Sequence, residues 1–225
     1  MSDTKQTSIG SQFEDSIWDA LTSEPSTGVA IVTSDGWTLY INDQAAGIFG
    51  GDDTKAADLI GTEWYERMPE EWINERLELL QRMKGSDKPV LMRVVWHGQQ
   101  HLSWITPIDD EDEEGVARFL VITRRLPTAE VEETLREGDY ELIESDFLQL
   151  GPLDVLTSRE LEVLALLGQG LTIKQIAAML YRSPKTIDNH RQSIGRKLGE
   201  HRGVRLVEAA QRAGLTVRDA ERKRV

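Results

Sequence analysis

The sequence predicts an α+β protein in which a mixed N-terminal domain is followed by an all-α domain. Its 225 residues, 39% of them hydrophobic, are enough to bury a core in each of two ordinary domains. Strand-like runs lie between residues 28 and 123, interspersed with helical patterns. From residue 156 onward, apolar residues recur at helical spacing. We therefore expect four segments: a flexible and partly helical cap over 1–25, a first domain over 26–125, a helical linker over 126–155 and a second domain over 156–225.

The first domain begins with the pattern of a β-hairpin. GVAIVT (28–33) and WTLYIN (37–42) are strand-like, and the Ser34-Asp35-Gly36 turn between them is typical of tight hairpins. A helical spacing over 70–83 follows. Three further strands are predicted at 90–96, 101–108 and 116–123.

The second domain contains two short helices joined by a tight turn. Thr172 is placed to cap the first helix, and Gln175 three residues later completes a capping box. Ser183 supplies the next cap, and Pro184 occupies a first helical position, where its missing N–H costs nothing. This pattern predicts a helix-turn-helix unit over 172–198.

The second helix of this unit has two unlike sides. Ile187, Ile194 and Leu198 line one side at helical spacing. Amide and cationic side chains share the opposite side, and these groups bind base edges and phosphates in the major groove. The sequence therefore favours a recognition helix, although any solvated helix face is also polar. The outward residues are Lys185, Asn189, Gln192 and Arg196.

Several spaced motifs resemble the LuxR-type DNA-binding domain. They are LTSRE from Leu156, GLTIKQIA from Gly170, SPKTIDNH from Ser183 and RKLG from Arg196. The resemblance covers residues 156–214 and implies a four-helix domain whose second and third helices bind DNA. Asp188 departs from many relatives, which carry a basic or neutral residue there. A carboxylate repels phosphate but accepts a hydrogen bond from cytosine N4, so we expect it to shift the sequence preference.

Roles in DNA binding follow from the chemistry of each side chain. Ser183, at the start of the recognition helix, is also a predicted DNA-binding residue. The predicted base contacts are Asp188, Asn189 and Gln192. The predicted phosphate contacts are Lys174, Lys185, Thr186, Arg191, Arg196 and Lys197.

The net charge of −13 is divided unevenly between the two halves. Residues 152–225 hold 14 Lys and Arg against 8 Asp and Glu, which makes them +6, whereas residues 1–151 are −19. A basic domain beside an acidic one is expected if only the basic domain binds double-stranded DNA. The acidic half then either repels DNA when it folds back or serves solubility alone.

The last predicted helix, over 201–213, carries a stripe of small apolar residues. Small side chains allow close helix approach, so this stripe is a candidate for homodimerisation, and a two-fold dimer would present two recognition helices to DNA. The same stripe also suits packing on the first helix of its own domain, and the two uses are compatible. The stripe consists of Leu206, Ala209, Ala210 and Ala213.

The first domain resembles PAS sensory domains. The resemblance lies in TLYINDQAAGIFG from Thr38 and DLIGTEWYERMPEEW from Asp58, and covers 26–125. It implies a five-stranded antiparallel sheet that responds to a small molecule, a cofactor or a protein. Large aromatic residues are candidates for a ligand pocket, although such side chains more often fill a core. They are Trp37, Tyr40, Trp64, Trp72, Trp96 and Trp104.

The sequence predicts neither a metal site nor a resident cofactor. The six acids over 109–114 lack the spaced ligands of a calcium loop, so we expect a solvated hairpin tip. His97 and His101 flank a predicted turn, where exposed histidines are commoner than metal or haem ligands. The chain has no cysteine. The PAS resemblance still leaves haem or flavin open as a signal.

These observations favour a signal-dependent transcription regulator over two alternatives. One alternative is an adaptor that binds proteins through both domains without sequence-specific DNA binding, and a weaker one is a ligand-modifying enzyme. No P-loop, GxSxG, HExxH or GxGxxG motif supports catalysis, so we expect no enzyme activity. The sequence shows neither a signal peptide nor a membrane-spanning run, and we expect a cytoplasmic protein.

Overall fold

The computed structural model describes Trp18, Ala20 and residues 22–109, 115–125, 140–200 and 203–225. The sequence expectations for residues 1–17, for most of the acidic tip and for 126–139 fall outside these ranges. Among the described residues, no helix combines the length and the apolarity needed to cross a bilayer. The strands are β1 (Thr27–Thr33), β2 (Thr38–Ile41), β3 (Val90–Trp96), β4 (Gln99–Asp109), β5 (Arg118–Arg125), β6 (Glu141–Leu148) and β7 (Lys223–Arg224). The helices are α1 (Asp43–Gly50), α2 (Glu70–Met83), α3 (Ser158–Gly168), α4 (Ile173–Met179), α5 (Pro184–Lys197) and α6 (Gly203–Ala213).

The predicted five-stranded antiparallel sheet is present and is extended by two more strands. Its order is β2-β1-β5-β4-β3-β6-β7. Strands β1 to β5 pair antiparallel, whereas β6 pairs with β3 and β7 pairs with β6 in parallel. The expectation of five strands is therefore too small by two, because later parts of the chain complete an edge that the first domain leaves open.

Strand β6 corrects the prediction of a helical linker over 126–155 for residues 141–148. Ile143, Ser145 and Phe147 are more buried than Leu142, Glu144 and Asp146, which alternate with them. This alternation is the two-residue period of a strand, not of a helix. The open edge of β3 supplies the backbone partners that stabilise it. A short 3-10 helix over Gly151–Val155 then leads into α3.

Helix α2 covers the inner face of the sheet. Its residues Leu79, Leu80 and Met83 pack in one cluster with apolar side chains of β1, β3, β4 and β5. Trp72 and Ile73 form a neighbouring cluster with Val94 and Trp96. The core of the first domain therefore lies between α2 and the sheet.

The four helices α3 to α6 form the predicted helical domain. Thr157 and Glu160 form a capping box at α3, and Thr172 and Gln175 form the predicted one at α4. The Ser183 side chain caps α5 as predicted, by accepting from the Thr186 amide. These caps stabilise free N–H groups at three of the four helix starts.

The two halves share a hydrophobic core. Val95 on β3, Leu148 on β6 and Leu150 belong to the same buried cluster as Leu161 and Leu164 of α3. Beyond α6, the C-terminal segment returns to the sheet and ends as β7. The described part of the segment that precedes α3, residues 140–156, thus contributes Leu148, Leu150, Leu153 and Leu156 to a packed interface.

Candidate functional site

Helices α4 and α5 are joined by a turn that requires unusual backbone geometry. Tyr181 has a φ of 52°, in the left-handed region, and its side chain is 90% exposed. The Arg182 amide donates to the Ala177 carbonyl at 2.9 Å, which closes the end of α4. The chain then restarts as α5 at the Ser183 cap. The turn therefore sets the angle between α4 and α5.

The apolar side of α5 anchors it in the domain core. Ile187 and Ile194 are completely buried and belong to the core cluster, and Leu198 packs against it. The apolar side identified in the sequence is therefore the buried side, and the opposite side of the helix is directed outward.

The outward side of α5 is accessible in this chain. Lys185, Asn189, Gln192 and Arg196 are all exposed. Lys174 on α4 is exposed as well, whereas Thr186 is half-buried with its hydroxyl 2.8 Å from that of Ser183. The predicted contacts of these residues with DNA stay predictions, but their side chains lie on the face that such contacts require.

Asp188 lies at the centre of a small network on this face. Its Oδ1 accepts from Arg191 Nε at 3.1 Å and from Arg191 Nη2 at 2.9 Å. Its Oδ2 accepts from Gln192 Nε2 at 2.8 Å. The hydrogen bond from Arg191 is the main reason that the pKa of Asp188 lies below its usual value. Asp188 and Arg191 are thus paired with each other before any base or phosphate approaches.

Lys197 occupies a different environment from the one predicted. Its Nζ donates to Glu160 Oε2 at 2.6 Å and to the Val155 carbonyl at 3.0 Å. Ser193 also donates to Glu160, at 2.7 Å. Burial raises the pKa of Glu160, but the bonds from Lys197, the Thr157 amide and Ser193 outweigh it and lower the pKa to about 2. Lys197 therefore links α5 to α3, and its predicted contact with phosphate stays a prediction.

The candidate dimerisation stripe is used inside the chain. Leu206, Ala210 and Ala213 are at most 2% exposed and lie in the core of their own domain, while Ala209 is half-buried. Gly168 of α3 shows how close the helices are, since a Cβ there would lie 2.8 Å from Ala210 Cβ. The stripe therefore packs on α3, and its assignment as a free dimer surface is wrong for these three residues.

A cavity of about 90 Å³ lies between α2 and the inner face of the sheet. Of the six predicted pocket aromatics, Trp64 and Trp72 line it. Trp96 lines a neighbouring cavity and donates to the Phe49 carbonyl at 3.0 Å. The other three line neither: Trp37 is 41% exposed, Tyr40 packs against Trp18, and Trp104 packs beside Leu91 and Leu102. The prediction was too broad because strand alternation sends Trp104 to the outer face of the sheet.

Two polar side chains face this largely apolar cavity from α2. The Arg76 guanidinium lies 3.9 Å from the centre of the Trp72 ring and pairs with Glu75. Burial lowers the pKa of Arg76 to about 10, while Glu75 opposes the shift. The Trp72 Nε1 is buried and has no hydrogen-bond partner among the described residues. A buried cation and an indole with an unpartnered N–H are therefore both among the residues that line the cavity.

The two candidate histidines differ in environment. His97 is half-buried in the turn after β3, with a φ of 49°. His101 is 1% exposed on β4, so the expectation of exposed turn histidines is wrong for it. Burial lowers its pKa to about 4, which keeps it neutral at pH 7. Within the described ranges, no three His, Asp or Glu residues are grouped so as to hold a metal ion.

Comparison with known families assigns the helical domain. Residues 154–210 match the family model described as bacterial regulatory proteins, luxR family, so α3 to α6 form a LuxR-type helix-turn-helix domain. The response regulatory protein YgeK of Escherichia coli is 45% identical over 60 residues, which are 27% of this chain and 41% of YgeK. The transcriptional regulatory protein UhpA of Escherichia coli is 46% identical over 59 residues, which are 26% of this chain and 30% of UhpA. The chain thus spans less than half of the length of these relatives.

Some solved structures align with this chain over more residues than the relatives above do. The VqmA–ligand–DNA complex of Vibrio cholerae aligns over 93% of this chain and 93% of VqmA, with 19% identity and a TM-score of 0.45. The PAS domain of BvgS from Bordetella pertussis aligns over 56% of this chain and 96% of that domain, with 18% identity and a TM-score of 0.40.

Proposed function

We propose that this protein is a DNA-binding transcription regulator whose N-terminal domain receives a signal. The observation that carries the proposal is the outward side of α5, where Lys185, Asn189, Gln192 and Arg196 are exposed in a LuxR-type domain. An α-helix fits the major groove, and amide and cationic side chains are the groups that bind its base edges and phosphates. The partner is therefore double-stranded DNA.

Charge supports the same assignment of roles. The segment that contains the LuxR-type domain, residues 152–225, carries +6, whereas residues 1–151 carry −19. Phosphate contacts release counterions, so a basic surface gains affinity for DNA of any sequence. The acidic half opposes that gain when it is held close to the helical domain. The core that Val95 and Leu148 share with α3 keeps the two halves adjacent, which supports this part of the proposal.

The signal in this proposal is a compact molecule bound in the cavity of the first domain. About 90 Å³ holds only a small ligand. The unpartnered Trp72 Nε1 favours a ligand with a hydrogen-bond acceptor, and the apolar walls favour an otherwise apolar one. The proposal includes no resident cofactor. A ligand that alters the sheet acts on the DNA-binding domain through the core that Val95 and Leu148 share with α3.

The proposal also includes a homodimer, because two recognition helices on a two-fold axis meet half-sites one DNA turn apart. Since the small-residue stripe of α6 packs on α3, pairing uses another surface. The opposite side of α6, with Arg205, Glu208 and Arg212, is exposed. Analytical ultracentrifugation with and without DNA measures the pairing directly.

The proposal is tested by selecting bound duplexes from a random DNA pool. We expect a defined sequence to be enriched and Gln192→Ala to weaken that enrichment. Lys185→Ala should lower the affinity for all duplexes and reduce the slope of log affinity against log salt by about 1. Lys88→Ala, at an exposed lysine of the first domain, is the matched control and should change neither quantity. Enrichment of no sequence would refute the proposal.

A further inference from the structure

We infer that Asp188 is a positioning residue that fixes the orientation of the Gln192 amide and so selects adenine at the base pair that Gln192 contacts. The inference rests on the proposed DNA-binding function. It specifies the base that is preferred at one position of the DNA site. It also changes the role of Asp188 from a direct base contact to a residue that orients the base contact Gln192.

The geometry occupies both carboxylate oxygens of Asp188. Oδ2 accepts from Gln192 Nε2 at 2.8 Å, and the two residues are one helical turn apart. Oδ1 accepts from Nε and Nη2 of Arg191 at 3.1 and 2.9 Å. These three bonds use most of the roughly four acceptor sites of a carboxylate. Because most of its acceptor sites are occupied within the helix, the carboxylate is a poor direct contact for cytosine N4.

The remaining hydrogen-bonding groups of Gln192 define what it recognises. A glutamine amide has two N–H donors and one carbonyl acceptor. The bond to Asp188 uses one N–H and directs the nitrogen toward the start of α5, which leaves the carbonyl oxygen and the second N–H for DNA. Adenine presents an N6 donor beside an N7 acceptor in the major groove and matches that pair. Guanine presents two acceptors and does not match the carbonyl.

The network also limits the charge that α5 presents. Arg191 is paired with Asp188, and both side chains are 33% exposed. Lys185, one turn before Asp188, and Arg196, one turn after Gln192, are the exposed cations that flank the network on the same side. Asp188 thus withdraws Arg191 from the phosphates while it orients Gln192. Its two effects, on base preference and on salt dependence, are separable by substitution.

The experiment is selection from a random duplex pool with the full chain and three variants. Asp188→Ala removes both acceptor oxygens, Asp188→Asn keeps one acceptor but removes the charge, and Gln192→Ala removes the base contact. We expect wild type to prefer adenine at one position by about tenfold. Asp188→Ala and Gln192→Ala should lose that preference at the same position, whereas Asp188→Asn should retain it.

Salt titrations with a fixed duplex supply a second readout. Both Asp188 variants release Arg191, so the slope of log affinity against log salt should steepen by about 1 relative to wild type. Gln192→Ala should leave the slope unchanged. A substitution that merely disturbed the helix would weaken binding without moving one base position, and circular dichroism of each variant checks that the helices are intact.

Three results overturn the inference. If Asp188→Ala keeps the adenine preference of wild type but loses a preference for cytosine, Asp188 itself contacts a base. Unchanged preference in every variant would show that neither side chain sets it, while DNA binding stands. Enrichment of no sequence by wild type would refute the proposed function and this inference together.

Discussion

Arg93 and Asp219 form a buried ion pair that joins the sheet to the end of the chain. Arg93 Nη1 donates to Asp219 Oδ1 at 3.1 Å and Nη2 to Oδ2 at 2.9 Å, and the two side chains are 4% and 1% exposed. Arg93 also donates to the Gly214 carbonyl at 2.7 Å and to Gln100 Oε1 at 2.6 Å. Because the donors are satisfied, the pair orders the interface between the halves.

Breaking this pair should destabilise the protein strongly. Asp219→Ala leaves the Arg93 guanidinium buried without its counter-ion, so we expect the free energy of unfolding to fall by about 3–5 kcal/mol. Asp154→Ala is the matched control. Asp154 pairs with Arg224 near the same sheet edge, but its side chain is 62% exposed, so a loss of about 0–1 kcal/mol is expected. Urea denaturation followed by fluorescence and circular dichroism measures both.

Replacing both partners tests whether the cost comes from an unpaired charge. Arg93→Met combined with Asp219→Leu should recover part of the stability lost in Asp219→Ala, because the Arg93 guanidinium is no longer buried without its counter-ion, while Arg222 keeps its pair with Glu144. An Asp219→Ala variant as stable as Asp154→Ala would contradict the assignment of the pair to the interface.

Lys197 should matter for stability rather than for DNA affinity. Lys197→Ala leaves the Glu160 carboxylate, only 4% exposed as a residue, without its ammonium donor. Since Lys197 itself is partly solvated, we expect a loss of about 1 kcal/mol. Lys185→Ala, at an exposed position on the same helix, should leave the melting temperature unchanged. Equal melting temperatures for the two variants would argue against the α3–α5 link.

The same ion pair predicts a pH dependence of stability. The pKa of Glu160 is about 2 in the folded chain against an ordinary value of 4.5. A carboxylate whose pKa is depressed by folding stabilises the fold above its unfolded value, and that stabilisation is lost as pH falls from about 4.5 to about 2. We therefore expect wild type to be more stable than Glu160→Gln at pH 7 and the gap to narrow through this window.

Melting temperatures between pH 7 and pH 2 provide the measurement. Glu162→Gln, which removes an ion pair to Arg159 on the same helix, serves as the comparison for a substitution of equal size. A gap between wild type and Glu160→Gln that stays constant with pH would show that the charge of Glu160 contributes nothing to stability.

Two buried tryptophans should respond differently to loss of the indole N–H. Trp96 Nε1 donates to the Phe49 carbonyl at 3.0 Å, whereas Trp72 Nε1 has no partner in the described part of the chain. Trp96→Phe should therefore cost about 1 kcal/mol more than Trp72→Phe, because only the first removes a hydrogen bond and leaves a carbonyl unsatisfied. Chemical denaturation compares the two variants. A larger loss in Trp72→Phe would indicate that its N–H is already satisfied.

Local signals explain why the helix-turn-helix unit was predictable. The caps at Thr172 and Ser183 and the spacing of Ile187 and Ile194 act within one or two helical turns. The outward position of Asn189 and Gln192 follows from the same spacing. Such signals are contained in short windows and need no knowledge of distant residues.

The sequence by itself determined that a sheet-containing domain precedes a helical one, the sides of α5 and the division of charge, because periodicity, capping and composition are local or additive. Tertiary structure alone decided that β6 and β7 extend the sheet, that Leu206 packs on α3, that Lys197 binds Glu160 and that Arg93 meets Asp219. Those contacts join residues tens to more than a hundred positions apart. The partner of a sheet edge or of a buried charge depends on how the whole chain packs. No short stretch of sequence therefore carries a pattern that identifies this partner.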